Sequence, residues 1–183
     1  MPNLCFNQLV IYDNDKSKEV FDYVESDTSV LGNRIDEFGR DSNVIVFDSA
    51  WIPADKAIYS LIRQFDIQDF LYEYNEENMG FFGSWAQTDN GLIEVINGDI
   101  PRAQDIESAN RFINEYRNEY DFEEYLDDFD LYDDEDDKLS CANDYIREVF
   151  IESDKDRRKA IAEILSTDIK IQVLTLDELE NIL

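Results

Sequence analysis

The stretch Leu4-Cys5-Phe6-Asn7-Gln8-Leu9-Val10-Ile11-Tyr12 decides the fold class. Its aliphatic and aromatic side chains suit a strand, and Asp13-Asn14-Asp15, directly after it, reads as a turn. Beyond that turn, Val20, Phe21 and Val24 fall on one face of a short helix. Residues 27–42, with Gly32 and Gly39, read as an irregular loop, and Val44-Ile45-Val46-Phe47 as a second, buried strand. Pro53 suits the start of a helix, where its missing N–H costs nothing; that helix carries Ala57, Ile58, Leu61, Ile62 and Phe65. Phe70–Tyr74 and Phe81–Trp85 form a hairpin through Asn78-Met79-Gly80, and the turn signal Asn90-Gly91 leads to a further strand over Leu92–Ile96. Strands and helices mixed in this order predict an α+β domain over residues 1–98.

The character changes after Gly98, with no glycine in the remaining residues. Ile106, Ala109, Ile113, Tyr116 and Tyr120 recur at helical spacing. Ser140 is the expected N-cap of a helix burying Ala142, Tyr145, Ile146, Val149 and Phe150, and Asp154 that of a helix turning Ile161, Ile164 and Leu165 inward. Ile169, Ile171 and Val173 alternate with polar residues as one more strand. Thr175 followed by Glu178 is a capping-box pattern opening a last short helix. Residues 99–183 are therefore expected to form an acidic, mostly helical domain or lobe.

Charge is the outlier. The chain carries 44 Asp and Glu against 16 Lys and Arg, a net charge of −28. That exceeds the magnitude of about 2 to 8 that keeps a small domain in solution, and self-repulsion works against compaction. Yet 43% of the residues are hydrophobic, including 12 Phe and 10 Tyr, a composition unlike that of disordered acidic tails. Direct binding to nucleic acid or to an anionic membrane is disfavoured, since both require Lys and Arg clusters. The expected partner is basic. Cys5 and Cys141 stand in no metal or redox spacing and suit burial as small apolar groups. No basic leader segment opens the sequence, and no apolar run reaches the roughly 20 residues of a membrane span. A cytoplasmic location is expected, the host cytoplasm if the chain is phage-encoded.

Met1-Pro2-Asn3, Asn7 with the Leu9 and Ile11 strand, Trp51-Ile52-Pro53 with its helix to Phe65, Tyr72-Glu73 and Phe82-Gly83 together carry a resemblance. Over residues 1–97 the chain resembles the YubB ferredoxin-like family of phage and plasmid proteins. The resemblance implies a ferredoxin-like antiparallel sheet with helices and a mobile-element origin, and no reaction. The chain departs from the usual pattern where Asn75-Glu76-Glu77-Asn78 replaces a glycine.

The chain contains no histidine, which excludes Ser-His-Asp and Cys-His sites, His-ligated zinc and His general bases. Phosphate-cradling GxxxxGK[ST] and GxGxxG loops are absent as well. Carboxylate chemistry survives only as chance pairing among many acids, so no enzyme, catalytic residue, cofactor or metal site is expected. The run from Asp127 to Asp137 does not form an EF-hand: no glycine lies near its centre, and neither position 139 nor 141 is a carboxylate. Trp51, Phe81, Phe82 and Trp85 are expected in the core, with partner contact as the minority reading.

Within residues 115–137, 13 acids stand against one base, Arg117. The bland reading is a solvated acidic face. Interleaved Tyr116, Tyr120, Phe122, Tyr125, Phe129 and Tyr132 argue for an anchored segment instead. As a helix it would present one carboxylate per roughly 2.7 Å, within the nucleic-acid range of about 1.7 Å for duplex DNA and 3.4 Å for a single strand. The expected partner-binding residues are Glu123, Glu124, Asp127, Asp128, Asp130, Asp133, Asp134, Asp136 and Asp137. The expected function is a nucleic-acid-mimicking phage or plasmid inhibitor. It would occupy the basic channel of a host defence nuclease, such as a CRISPR effector or a restriction enzyme. A non-inhibitory acidic adaptor of a basic protein is the alternative, and a metal-dependent carboxylate hydrolase the third reading.

Overall fold

The computed structural model describes residues 3–32, 35–116 and 134–183. Its elements are β1 (Leu4–Ile11), α1 (Asn14–Ser26), β2 (Ile35–Asp41), β3 (Val44–Ala50), α2 (Asp55–Phe65), β4 (Phe70–Glu76), β5 (Phe81–Gln87), β6 (Ile93–Asp99), α3 (Ile106–Tyr116), α4 (Glu135–Glu152), α5 (Lys155–Ile164), β7 (Ile169–Leu174) and α6 (Leu176–Glu180). The class is α+β. The sheet order is β2-β3-β1-β4-β5-β6-β7, and the β1–β3, β1–β4, β2–β3 and β4–β5 pairings are all antiparallel. The first six elements, β1-α1-β2-β3-α2-β4 in the order β2-β3-β1-β4, form the split βαβ arrangement of ferredoxin-like domains.

The core lies between this sheet and its helices. Cys5, Leu9 and Ile11 of β1, Ile45 and Phe47 of β3, and Phe70, Tyr72 and Tyr74 of β4 pack with Val20, Phe21 and Val24 of α1 and Ile58, Leu61 and Ile62 of α2. Period-two alternation along each strand selects these residues. Asp13 caps α1, accepting from the amides of Asp15 and Lys16.

The described part of residues 27–42 is not an irregular loop. A 3₁₀ turn over Thr28–Leu31 leads into β2, an edge strand interrupted by a register shift between Asp36 and Gly39. Edge strands carry charge and bulges that blunt further pairing, which removes the alternation a strand is recognised by. The helix expected at Pro53 starts two residues later, with Ala54 at its N-cap position.

Glu76 lies in the Asn75–Asn78 stretch, where β4 ends and the turn to β5 begins. It is buried, and its carboxylate accepts from the Met79 amide and from Asn78 Nδ2, closing the β4–β5 turn. Opposite Tyr74, Gly83 is obligatory: a Cβ there would stand 2.2 Å from the Tyr74 ring.

The chain divides into two compact units, residues 1–98 with 170–183, and residues 99–169. The stretch expected to end the helical lobe therefore belongs with the sheet. Leu179 of α6 is buried in the first unit's core, Tyr59 donates to Glu180 at 2.9 Å, and the Thr175–Glu178 capping box is formed. In the second unit, Ala109, Phe112, Ile113 and Tyr116 of α3 are buried, as are Tyr145, Ile146, Val149 and Phe150 of α4. The Ala103 amide donates to Asn143 Oδ1 at 2.8 Å. Ser140 is not a cap; α4 begins five residues before it, capped by Asp134, whose side chain accepts from the Asp136 amide. Asp154 caps α5 as expected, with Ile161 and Leu165 buried and Ile164 only partly so.

Candidate interaction surface

Three of the nine acids singled out in the sequence fall on described residues. Asp134 Oδ1 accepts from the Asp136 amide at 2.8 Å. Glu135, Asp136 and Asp137 occupy the exposed first turn of α4. Carboxylates there are favoured by the helix dipole, by about 0.3–1 kcal/mol each, so part of the local acidity has a structural cause. Glu123, Glu124, Asp127, Asp128, Asp130 and Asp133 lie outside the described residues.

The strands place a second acidic surface on the sheet face turned away from α1 and α2. The registers align Asp36, Asp48, Phe6 and Asn75 in one row across β2, β3, β1 and β4. The next row holds Gly39, Val46, Gln8 and Glu73, and the third Asp41, Val44, Val10 and Leu71. Asp36 stands directly opposite Asp48, a like-charge pairing that destabilises a sheet. Partial burial raises the Asp48 carboxyl above the usual range, and the carboxylates of Glu37 and Asp36 raise it further. Arg40, the one basic residue of these four strands, points to the helix side. It lies over the Phe21 ring and pairs with Asp22 at 2.9 Å and Glu25 at 2.7 Å.

Two aromatics on or beside this face are open to solvent: Phe6 is 39% exposed and Trp51 49%. Trp85 and Phe82 are buried and Phe81 packs against the core, as expected, but Trp51 is not a core residue. It follows β3 with φ +74°, and its amide donates to the Asn3 carbonyl at 3.0 Å. A bulky residue in the left-handed region is a backbone outlier, and the turn leaves the indole outside the core.

Under the helices the same strands hold a polar node. Asn7 Nδ2 donates to the Cys5 carbonyl (2.7 Å) and to Ser49 Oγ (2.9 Å). Its Oδ1 accepts from the Ala54 amide at 3.0 Å and from the Tyr72 hydroxyl at 2.8 Å. A strand residue thus caps α2, whose own N-cap position offers no side-chain acceptor. Beside the node, Ser49, Asp55 and Lys56 join Leu31, Ile52 and Ile182 in lining a cavity of about 330 Å³. Asp55 Oδ1 is buried without a hydrogen-bond partner. Burial raises its carboxyl to about 6. Burial and the carboxylates of Asp55 and Glu76 push the Cys5 thiol up to about 12, so it is no nucleophile at neutral pH. Burial likewise holds the Tyr72 and Tyr74 hydroxyls neutral. Among the described residues, no group of three or more Cys, Asp or Glu side chains could hold a metal ion.

A family model described as the ferredoxin-like domain in Api92-like protein matches residues 29–123, just over half of the chain. The chain belongs to this ferredoxin-like family. The match runs from the 3₁₀ turn before β2 through β6 and α3, so it leaves out β1 and α1 and passes beyond residue 98. No curated protein matches the chain.

Proposed function

We propose that the chain is a non-catalytic acidic binding protein that offers carboxylates to a basic, nucleic-acid-binding partner in the cytoplasm. In its most specific form it is a phage- or plasmid-encoded mimic of nucleic acid that blocks a host defence nuclease, a CRISPR effector or a restriction enzyme. The YubB resemblance supports the mobile-element origin. One observation carries the reading: a net charge of −28 on a chain with an aromatic, fully formed core. Solubility does not require that excess, and the compact state is destabilised by it. Among the described residues, no helix is long and apolar enough to cross a membrane.

The test is a pull-down from host lysate at low and high salt, followed by nuclease inhibition. Replacing Asp127, Asp128, Asp130, Asp133 and Asp134 by Asn removes five charges and preserves shape; Asn is as good a cap as Asp for α4. At about 0.5–1 kcal/mol per partly desolvated contact, affinity falls roughly 100-fold or more, while the melting temperature holds or rises. Salt-sensitive capture without inhibition would favour the adaptor, and unchanged affinity of the variant would overturn the assignment to this segment.

A further inference from the structure

We infer that the sheet face turned away from α1 and α2 is a docking surface for a basic amphipathic helix of a partner protein. The face carries apolar side chains of β1 and β3 around Gln8, with carboxylates at Asp36 and Asp41 of β2, Asp48 of β3 and Glu73 of β4. Leu4 and Phe6 of β1 are exposed, Val44 and Val46 of β3 are half-buried, and Trp51 and Ile52, exposed, continue from the end of β3. Asp36, Asp41 and Asp48 flank this stripe, and among the described residues of β1–β4 the one base, Arg40, is held on the opposite side by Asp22 and Glu25.

Charge complementarity selects the occupant. An apolar ligand alone would do nothing for the like charges of the Asp36–Asp48 pair. A nucleic acid, although it could stack on Phe6, would meet carboxylates where it needs cations. A second copy of a chain with charge −28 would double the repulsion. A helix with leucines on one face and lysines flanking them covers the aromatics and neutralises the carboxylates together. Trp51 and Phe6 are the anchors, since aromatic side chains seated in covered patches dominate binding. The inference makes no use of the run of 115–137 and holds whether or not that run replaces phosphates.

The probe is a synthetic 18-residue Leu/Lys amphipathic helix titrated calorimetrically into the full chain at physiological salt, against a scrambled peptide of the same composition. The amphipathic peptide is expected to bind at least 10-fold more tightly than the scramble. Leu4→Ser with Phe6→Ser should weaken it at least 10-fold, and Gln8→Lys, which adds a cation at the face's centre and removes no apolar group, by a similar factor. The variant with Asn at 127, 128, 130, 133 and 134 should stay within 3-fold of the parent. Equal binding of the scramble, or parental affinity of Gln8→Lys, overturns the proposal. So does a dimer of the chain alone that Gln8→Lys dissociates, because the occupant is then a second copy.

Discussion

Along β1, Cys5, Asn7, Leu9 and Ile11 pack beneath the helices, whereas Leu4, Phe6 and Gln8 face away from them. The two sides of the same four strands solve opposite problems. Beneath α1 and α2 every donor of the Asn7 side chain is used, and the buried Cys5, Tyr72 and Tyr74 stay protonated at neutral pH. On the other side one carboxylate, Asp36, faces another, Asp48, and Phe6 remains open to water. Apolar packing around the Asn7 node stabilises the first unit, and Asp55, buried with an unpartnered Oδ1, is the exception under the helices. Charge and exposed aromatics on the far face cost a little stability, and burial alone does not account for them. The difference teaches where to look for function in a chain whose acids are spread along its whole length.

The largest effect that would break this comparison belongs to Asn7. Asn7→Ala removes the acceptor of the Ala54 amide and the Tyr72 hydroxyl together with the donor to the Cys5 carbonyl and Ser49 Oγ. At about 1–3 kcal/mol per orphaned group, the loss is about 3–5 kcal/mol. It should appear as a lower urea midpoint with an unchanged slope. Gln8→Ala, one residue along on the far face, should cost less than about 1 kcal/mol. Equal losses would mean that the node does not distinguish the two sides. Gly83→Ala comes next, at about 1–3 kcal/mol, because its Cβ would overlap the Tyr74 ring within the packed core.

Asp55 sharpens the comparison through pH. Its carboxyl is raised from 3.8 to about 6 in the folded state by burial, so the native chain binds the extra proton. The neutral form is the favoured one: the stabilisation is fully present below about pH 4 and is lost as pH rises through 6. Asp55→Asn, permanently neutral, should match the parent at pH 4 and exceed it by about 1–3 kcal/mol at pH 7.5. Denaturation midpoints of the two chains across pH 4–8 give that difference free of the general charge repulsion both share. A constant offset across the range would show that Asp55 is not titrating in the fold.

The core side of the sheet was legible in the sequence because its signals are local. Alternation in β1 and β3 and the 3–4 spacing of Ile58, Leu61 and Ile62 each lie within one window. Asn7 was not legible as a cap, since its partners Ala54 and Tyr72 are 47 and 65 residues away. β2 was missed because an edge strand of acids and glycine lacks the pattern that burial imposes. Asp134 escaped as the cap of α4 because it sits inside a run of acids that reads as surface. Residue type alone places Trp51 in the core, whereas a left-handed backbone angle, invisible in the sequence, leaves it in solvent. Of the candidate acids, Asp134, Asp136 and Asp137 are placed, and their position on a helix N-terminus has a helix-stabilising cause of its own.

The smallest expected effect is the most direct test of the far face. Asp48→Asn removes one member of the Asp36–Asp48 pair and the charge that Glu37 also opposes. Like charges directly across an antiparallel pair cost a few tenths of a kcal/mol, so the variant should be more stable than the parent by about 0.2–0.5 kcal/mol at neutral pH and low salt. Asp48 is raised in the folded state, so the repulsion is present only when it is ionised; the gain should vanish at pH 3. It should also vanish at 1 M salt, where the screening length is about 3 Å. A loss of stability instead would mean that Asp48 holds the β2–β3 pairing together. The acids of this face would then be part of the fold, and the distinction between its two sides would fail at the residue where it is drawn most sharply.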